Sequence, residues 1–154
     1  NKTMFCQAVR RRIAEWNRGG PSFCALLLSV DGFKELTSKY GQSAAELALE
    51  DLAQAVQMRL REMDLIARYS DATFGVVLPQ AGLRDAVLVG ERLRKSILKT
   101  GILVDGQKVT FTVSVGIVEV ADGDEMATLV ERARAELGQA SSGGGNRTKF
   151  PSSA

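Results

Sequence analysis

The clearest pattern in the sequence is the alternation of apolar and polar residues over residues 109–120. Alternation with a period of two is typical of a strand with one buried face, so we predict a single strand over this range. The run Phe23–Val30 is almost continuously apolar, which favours a strand buried on both faces. Two short apolar runs, residues 64–69 and 73–78, flank the polar Ser70-Asp71-Ala72. So short a polar connection predicts a β-hairpin.

Stretches with apolar residues at helical spacing alternate with these strands. They predict helices over residues 5–16, 43–61, 83–97 and 126–139, and a shorter helix that ends at Tyr40. Ser43 and Glu46 have the spacing of a capping box at the start of the second of these helices. Asp105-Gly106 is typical of a second hairpin turn. Residues 141–145 predict a flexible break, and residues 146–150 predict an edge strand.

The order of strand, helices, hairpin, helix, strand and helix predicts a βαββαβ core of the α+β class. We expect helices on one side of a mixed or antiparallel sheet. The strand that contains Val113, Val115 and Ile117 should lie beside Phe23–Val30 in the centre of that sheet. We predict one domain over residues 1–150 and a disordered tail over residues 151–154.

Composition narrows the range of functions. The chain is 45% apolar and 25% charged, which is ordinary for a globular domain, and its net charge of +2 does not indicate a nucleic-acid partner. It has no histidine, so imidazole acid–base catalysis and histidine metal ligation are excluded. Cys6 and Cys24 lack a metal-binding or CxxC spacing, so we expect reduced thiols in a cytosolic protein. The longest apolar run is too short to span a bilayer, and we expect no direct membrane contact.

The hairpin sequence Arg68-Tyr69-Ser70-Asp71-Ala72-Thr73-Phe74, followed by an apolar strand that ends at Pro79, resembles the hairpin of the GGDEF family. Active members of that family are diguanylate cyclases. The order and spacing of further motifs extend the resemblance from Asn1 to Arg147: Asp31-Gly32-Phe33-Lys34, Tyr40-Gly41, Glu91-Arg92-Leu93-Arg94, Val113-Ser114-Val115-Gly116, Gly144 and Asn146. The resemblance implies a ferredoxin-like, nucleotidyl-cyclase fold with a central, mostly antiparallel sheet flanked by helices. Asn1-Lys2-Thr3-Met4-Phe5 resembles the end of the family's entry motif, so we expect a cytoplasmic fragment of a longer protein, whose upstream part could hold a sensor or a membrane segment.

At the positions where the family binds metal and GTP, this sequence has other residue types. Ser29 and Ala72 stand where the family has its two metal-binding carboxylates, which hard cations require. Asp71 lies one position early, and we expect it to point to the other face. The remaining departures are Thr37 and Glu46 at the guanine contacts, and Ser141 and Gly145 at the late phosphate contacts. The resemblance therefore implies a degenerate domain with no metal, no cofactor and no cyclase activity.

One ligand motif of the family is kept. Arg61-Glu62-Met63-Asp64 matches its inhibitory-site signature, Arg-x-x-Asp, which binds cyclic di-GMP, and Arg92 matches a further arginine from the helix after the hairpin. An arginine fork suits the O6 and N7 atoms of guanine. The resemblance implies a receptor that signals to a protein partner or to an adjoining upstream or downstream domain, and it also implies that two copies could form a homodimer.

Two alternatives stay open. Arg61 and Asp64 could form an ordinary surface ion pair in a ligand-free interaction or dimerisation module, and a residual GTP-binding enzyme is a third hypothesis. As an exposed pair would add little stability, we expect Asp64→Ala to leave the melting temperature almost unchanged.

Overall fold

The computed structural model describes residues 1–152 and builds a five-stranded sheet in the order β2-β3-β1-β6-β7. The strands are β1 (Phe23–Val30), β2 (Leu65–Ser70), β3 (Thr73–Pro79), β4 (Ile102–Val104), β5 (Gln107–Val109), β6 (Val113–Glu119) and β7 (Thr148–Lys149). The helices are α1 (Lys2–Asn17), α2 (Phe33–Tyr40), α3 (Gln42–Gln57), α4 (Leu83–Thr100) and α5 (Met126–Ser142). All neighbours in the sheet are antiparallel except β6 and β7. The predicted α+β class and mostly antiparallel sheet are confirmed.

The central strand is β1, as its continuous apolar sequence predicts. It pairs with β3 on one side and with β6 on the other. Val113, Val115 and Ile117 lie opposite alternate residues of β1, which confirms the predicted neighbour. Because both faces of β1 are apolar, both have to be covered.

Helices cover both faces of the sheet, so the expectation of helices on one side only is wrong. On one face, α3 and α4 pack against Leu26, Leu28 and their neighbours, and on the other face α1 and α5 pack against Ala25 and Leu27. The fit of α5 is very close at Gly116, where an added Cβ atom would lie 2.3 Å from the backbone nitrogen of Leu137.

The single strand predicted over residues 109–120 is in fact two strands. β5 pairs with β4 in a separate two-stranded sheet, across the turn that Asp105-Gly106 forms with positive φ at both residues. The chain then crosses residues 110–112 and enters the main sheet as β6. Apolar alternation continues through this break because Phe111 still packs against the core, so the pattern does not reveal it.

The region around α3 also differs from the prediction. Its N-cap is Gly41, with φ +91°, and no side chain caps the helix, so the capping box of Ser43 and Glu46 is wrong. Glu46 pairs with Arg68 instead. The helix ends at Gln57 rather than near residue 61, and a run of turns leads to β2.

At the carboxyl end of the chain, α5 extends to Ser142, so the predicted break at residues 141–145 begins later than expected. β7 is the predicted edge strand and pairs in parallel with β6. Pro151 and Ser152 have no regular secondary structure, and the part of the predicted tail at 153–154 lies outside the described residues. Among residues 1–152, none of the helices combines the length and hydrophobicity needed to cross a membrane.

Candidate functional site

A cleft of about 830 Å³ opens where β1 ends, between the hairpin of β2 and β3 and the helices α2 and α3. It brings together five of the seven positions at which the sequence departs from the GGDEF pattern. These are Ser29, Thr37, Glu46, Asp71 and Ala72. Ser141 and Gly145 are not among its lining residues.

The two positions for metal-binding carboxylates offer no charge to the cleft. Ser29 lies opposite Thr73 across β1 and β3, and Thr73 Oγ1 donates to Ser29 Oγ at 3.3 Å. Ala72 is buried, and its carbonyl oxygen accepts from the backbone nitrogen of Val30 at 3.0 Å. Within residues 1–152, no cluster of three or more Asp, Glu, Cys or His side chains is arranged to hold a metal ion. A hydroxyl and a methyl group thus stand where the resemblance places carboxylate oxygens, the ligands that a hard divalent cation prefers.

Asp71 is exposed in the turn and does line the cleft. The expectation that its one-residue offset points its carboxylate to the other face stays a prediction. Its carboxylate accepts no hydrogen bond from any described residue.

The positions for guanine contacts are engaged with protein groups. Arg68 donates from Nη1 and Nη2 to the two oxygens of Glu46, at 3.1 and 3.2 Å, and its guanidinium lies 5.9 Å from the ring centre of Phe74. This bidentate bond lowers the pKa of Glu46 below its usual value. Thr37 Oγ1 donates to the carbonyl oxygen of Phe33 in its own helix. Arg68 is not among the site residues predicted from the sequence; its place before Tyr69 in the hairpin motif was the available signal.

Gly145 lies beside Asp31, the residue that follows β1. Asp31 accepts from Thr112 Oγ1 at 2.6 Å, from Ser114 Oγ at 2.8 Å and from the backbone nitrogen of Asn146 at 2.9 Å. Gly145 has φ +71°, and an added Cβ atom would lie 2.8 Å from Asp31 Oδ2. Asp31 is thus a structural tie, and the close approach favours glycine at position 145. Ser141 is exposed in the last turn of α5.

The Arg-x-x-Asp residues are joined by several hydrogen bonds in the turn that leads to β2. Arg61 donates from Nη2 to Asp64 Oδ1 at 2.8 Å and from Nε to both carboxylate oxygens, and its backbone nitrogen donates to Asp64 Oδ2 at 2.8 Å. Nη2 also donates to the carbonyl oxygen of Pro79 at 2.7 Å. The hydrogen bond with Asp64 raises the pKa of Arg61.

Burial of this pair is unequal: the side chain of Arg61 is 48% exposed and that of Asp64 is 3% exposed. The prediction from the sequence took both side chains as exposed, and it is wrong for Asp64. Removing a buried carboxylate leaves its donors unpaired, so Asp64→Ala should lower the melting temperature rather than leave it unchanged.

Arg92 is exposed on α4, whose buried residues are Ala86, Gly90, Leu93 and Ile97. Among the described residues, no hydrogen bond or ion pair joins Arg92 to Arg61 or Asp64. The structure therefore brings two of the three predicted ligand residues together.

Comparison with known proteins tests the family assignment. A sequence profile described as "Diguanylate cyclase, GGDEF domain" matches residues 1–147. The chain belongs to the GGDEF family. Diguanylate cyclase A of Treponema denticola is 33% identical to this GGDEF domain over 123 residues, which are 79% of this chain and 33% of that protein. The chain spans about a third or less of the length of the curated relatives it matches.

Solved structures agree on the fold of this GGDEF domain. The diguanylate cyclase SiaD of Pseudomonas aeruginosa, solved in complex with its activator SiaC, has a TM-score of 0.92 at 32% identity, covering 98% of this chain and 58% of that one. The GGDEF domain of DgcB from Caulobacter crescentus, solved in complex with cyclic di-GMP, has a TM-score of 0.92 at 24% identity, covering 99% of this chain and 89% of that one. The GGDEF fold predicted from the hairpin and its accompanying motifs is confirmed.

Proposed function

We propose that this GGDEF domain is a catalytically inactive receptor for cyclic di-GMP. The observation that carries the proposal is the guanidinium of Arg61, held by the buried carboxylate of Asp64 at the family's inhibitory-site offset, in a domain that lacks the family's metal-binding carboxylates. A domain of the same fold, from DgcB, was solved with this ligand.

The inactive half of the proposal rests on the cleft. A cyclase has to hold divalent cations that activate a ribose hydroxyl and neutralise a triphosphate. Ser29 and Ala72 supply no carboxylate, and Glu46 is already paired with Arg68. Asp71 is a single exposed carboxylate, which is far from the several oxygen ligands that such a cation takes.

The proposal that the domain binds cyclic di-GMP rests on the preorganised guanidinium of Arg61. Its guanidinium is oriented by Asp64, so a ligand would not have to order a free side chain, and preorganised groups bind with a smaller entropic cost. About half of the side chain faces solvent, where a guanine edge can approach. Arg92, exposed on the next helix, would add a contact to a phosphate or a second base. The bound domain would then act in the cytoplasm on a partner protein, on an adjoining domain or on a second copy of itself.

Isothermal titration calorimetry with cyclic di-GMP tests this function. A good bidentate contact between arginine and guanine is worth about 1–3 kcal/mol, so Arg61→Ala should weaken binding by roughly one to two powers of ten. Arg59→Ala is the matched control, because Arg59 is also exposed but its side chain bonds only to the carbonyl oxygen of Ala55 in the neighbouring α3. This control should bind like the parent, and Arg92→Ala should bind more weakly than the parent.

The second candidate is a ligand-free interaction module, and one observation favours it: Arg61 already has protein acceptors in Asp64 and Pro79. If the parent gives neither heat nor a thermal shift with excess cyclic di-GMP, the Arg61–Asp64 pair is structural only. The interaction module then becomes the better account of the domain.

A further inference from the structure

The chain turns sharply between β3 and α4. Pro79 ends β3, Gln80 has φ +53°, and Gly82 is the N-cap of α4. A positive φ is uncommon for a residue other than glycine, so surrounding contacts have to hold it. We call residues 79–83 the β3–α4 corner.

Side chains from three other parts of the fold hold the backbone of the corner. The hydrogen bonds are Arg61 Nη2 to Pro79 O at 2.7 Å, Cys24 Sγ to Ala81 O at 3.3 Å, and Leu83 N to Glu119 Oε1 at 3.2 Å. Cys24 is buried and Glu119 is half-buried, whereas 48% of the side chain of Arg61 is exposed. Of these three ties, that of Arg61 is the one a ligand from solvent can reach most easily.

The donors of Arg61 are already divided among acceptors. A guanidinium has five N–H groups, one on Nε and two on each terminal nitrogen. Asp64 takes Nε and one hydrogen of Nη2, and Pro79 takes the other hydrogen of Nη2. Only the hydrogens of Nη1 are left without an acceptor among the described residues. Two hydrogens on one nitrogen diverge, so they do not form the parallel fork that binds O6 and N7 of guanine.

We infer that Arg61 is a ligand-operated latch on the β3–α4 corner. A guanine that takes the fork of Nη1 and Nη2 competes with Pro79 O for the second hydrogen of Nη2. Asp64 keeps its two bonds on the other edge of the guanidinium, so the ligand breaks the tie to Pro79 and leaves the arginine in place. This inference rests on the proposed function, and it names how occupancy of that site is passed on.

Breaking the hydrogen bond between Arg61 and Pro79 would change the support of the first turn of α4. Loss of the bond to Pro79 leaves Gln80 with less support for its positive φ, and the ties through Cys24 and Glu119 then hold the corner alone. The corner lies directly before α4, which also carries Arg92. The ligand thus changes the link between β3 and α4 and contacts the same helix at Arg92, nine residues after Leu83, which points to α4 as the element that a partner would sense.

Hydrogen–deuterium exchange with mass spectrometry tests the latch on the intact protein. Saturating cyclic di-GMP should speed exchange in a peptide over residues 79–88 by roughly tenfold, the scale expected for losing one hydrogen bond from a charged donor. Arg61→Ala should give the same acceleration without any ligand, since it removes the same tie. Arg59→Ala and a peptide over β6 should show no change.

Calorimetry on the same samples separates the latch from the receptor function. If cyclic di-GMP binds and exchange in the corner stays equal or becomes slower, the latch is refuted and the receptor function stands. If no binding is measured, the receptor function fails, and ligand operation of the latch fails with it. Unchanged exchange in Arg61→Ala would refute the structural tie itself, whatever the ligand does.

Discussion

Substitution of Gly116 by alanine tests how α5 is seated on the sheet. An added Cβ atom would lie 2.3 Å from the backbone nitrogen of Leu137 and 2.6 Å from the carbonyl oxygen of Ala133. Both are main-chain atoms of α5, so no side chain can rotate away and the helix has to move. Overpacking a core costs typically about 1–3 kcal/mol, and we expect the upper end here. For a domain of this size, that loss lowers the melting temperature by about 6–12 °C.

Gly138→Ala is the matched control, because Gly138 lies inside the same helix and an added Cβ atom there meets nothing within 4 Å. It should stabilise the domain by about 0.5–1 kcal/mol through helix propensity alone. Urea denaturation followed by circular dichroism measures both variants. Equal free energies of unfolding for Gly116→Ala and the parent would refute the close packing of α5 on β6, and a destabilised Gly138→Ala would refute the open surroundings of that glycine.

Three further predictions concern the cleft, the core and the ion pair between Glu91 and Arg94, whose Nε and Glu91 Oε2 are 2.7 Å apart. With GTP and Mg²⁺ the protein should form no cyclic di-GMP that chromatography can detect. A double Ser29→Asp and Ala72→Asp variant should form none either, because Ser141 and Gly145 still stand at the late phosphate contacts. A steady product peak that is absent from a blank preparation would contradict this. Val115→Asp places an unpaired charge at a position that is 0% exposed, and this should lower the free energy of unfolding by more than about 4 kcal/mol. A variant that melts like the parent would refute the burial of this position. The hydrogen bond from Arg94 lowers the pKa of Glu91 to about 2. Because the pKa of Glu91 is lower in the folded than in the unfolded protein, the ionised carboxylate stabilises the fold above about pH 4.5, and this stabilisation is lost as the pH falls towards 2. The urea midpoints of Glu91→Gln and the parent should therefore converge over that interval.

Much of the fold could be predicted because its strands have strong local patterns. The bounds of β1 follow from its apolar run, and the alternation around Val115 predicts the strand β6, which the structure places beside β1. The break between β5 and β6 could not be predicted, because Phe111 continues the apolar alternation while Thr112 donates its hydroxyl to Asp31, a residue distant in sequence. Covering of both faces of the sheet was implied by the apolar β1, but the order of elements alone does not say on which face each helix packs.

Some features of the candidate site could likewise be predicted from the sequence, and others could not. The spacing of Arg61 and Asp64 was visible in the sequence, and the structure joins them. The burial of Asp64 and the bond from Arg61 to Pro79 depend on how the end of β3 returns to the turn before β2, which no local pattern encodes. The pairing of Glu46 with Arg68 was hidden for another reason: Glu46 also fits a capping box, and the competing long-range partner prevails.

The buried thiol of Cys24 can serve as a native probe of local opening in the protein. Cys24 is 0% exposed in the central strand, and burial raises its pKa to about 12. An alkylating reagent reacts with the thiolate, so in the closed protein it meets a sulfur that is both shielded and protonated. Cys6, half-buried on α1, is the more accessible of the two thiols. Slow labelling of Cys24 under native conditions therefore reports openings that uncover this face of β1. When closing is faster than labelling, the labelling rate gives the free energy of that opening without any added probe.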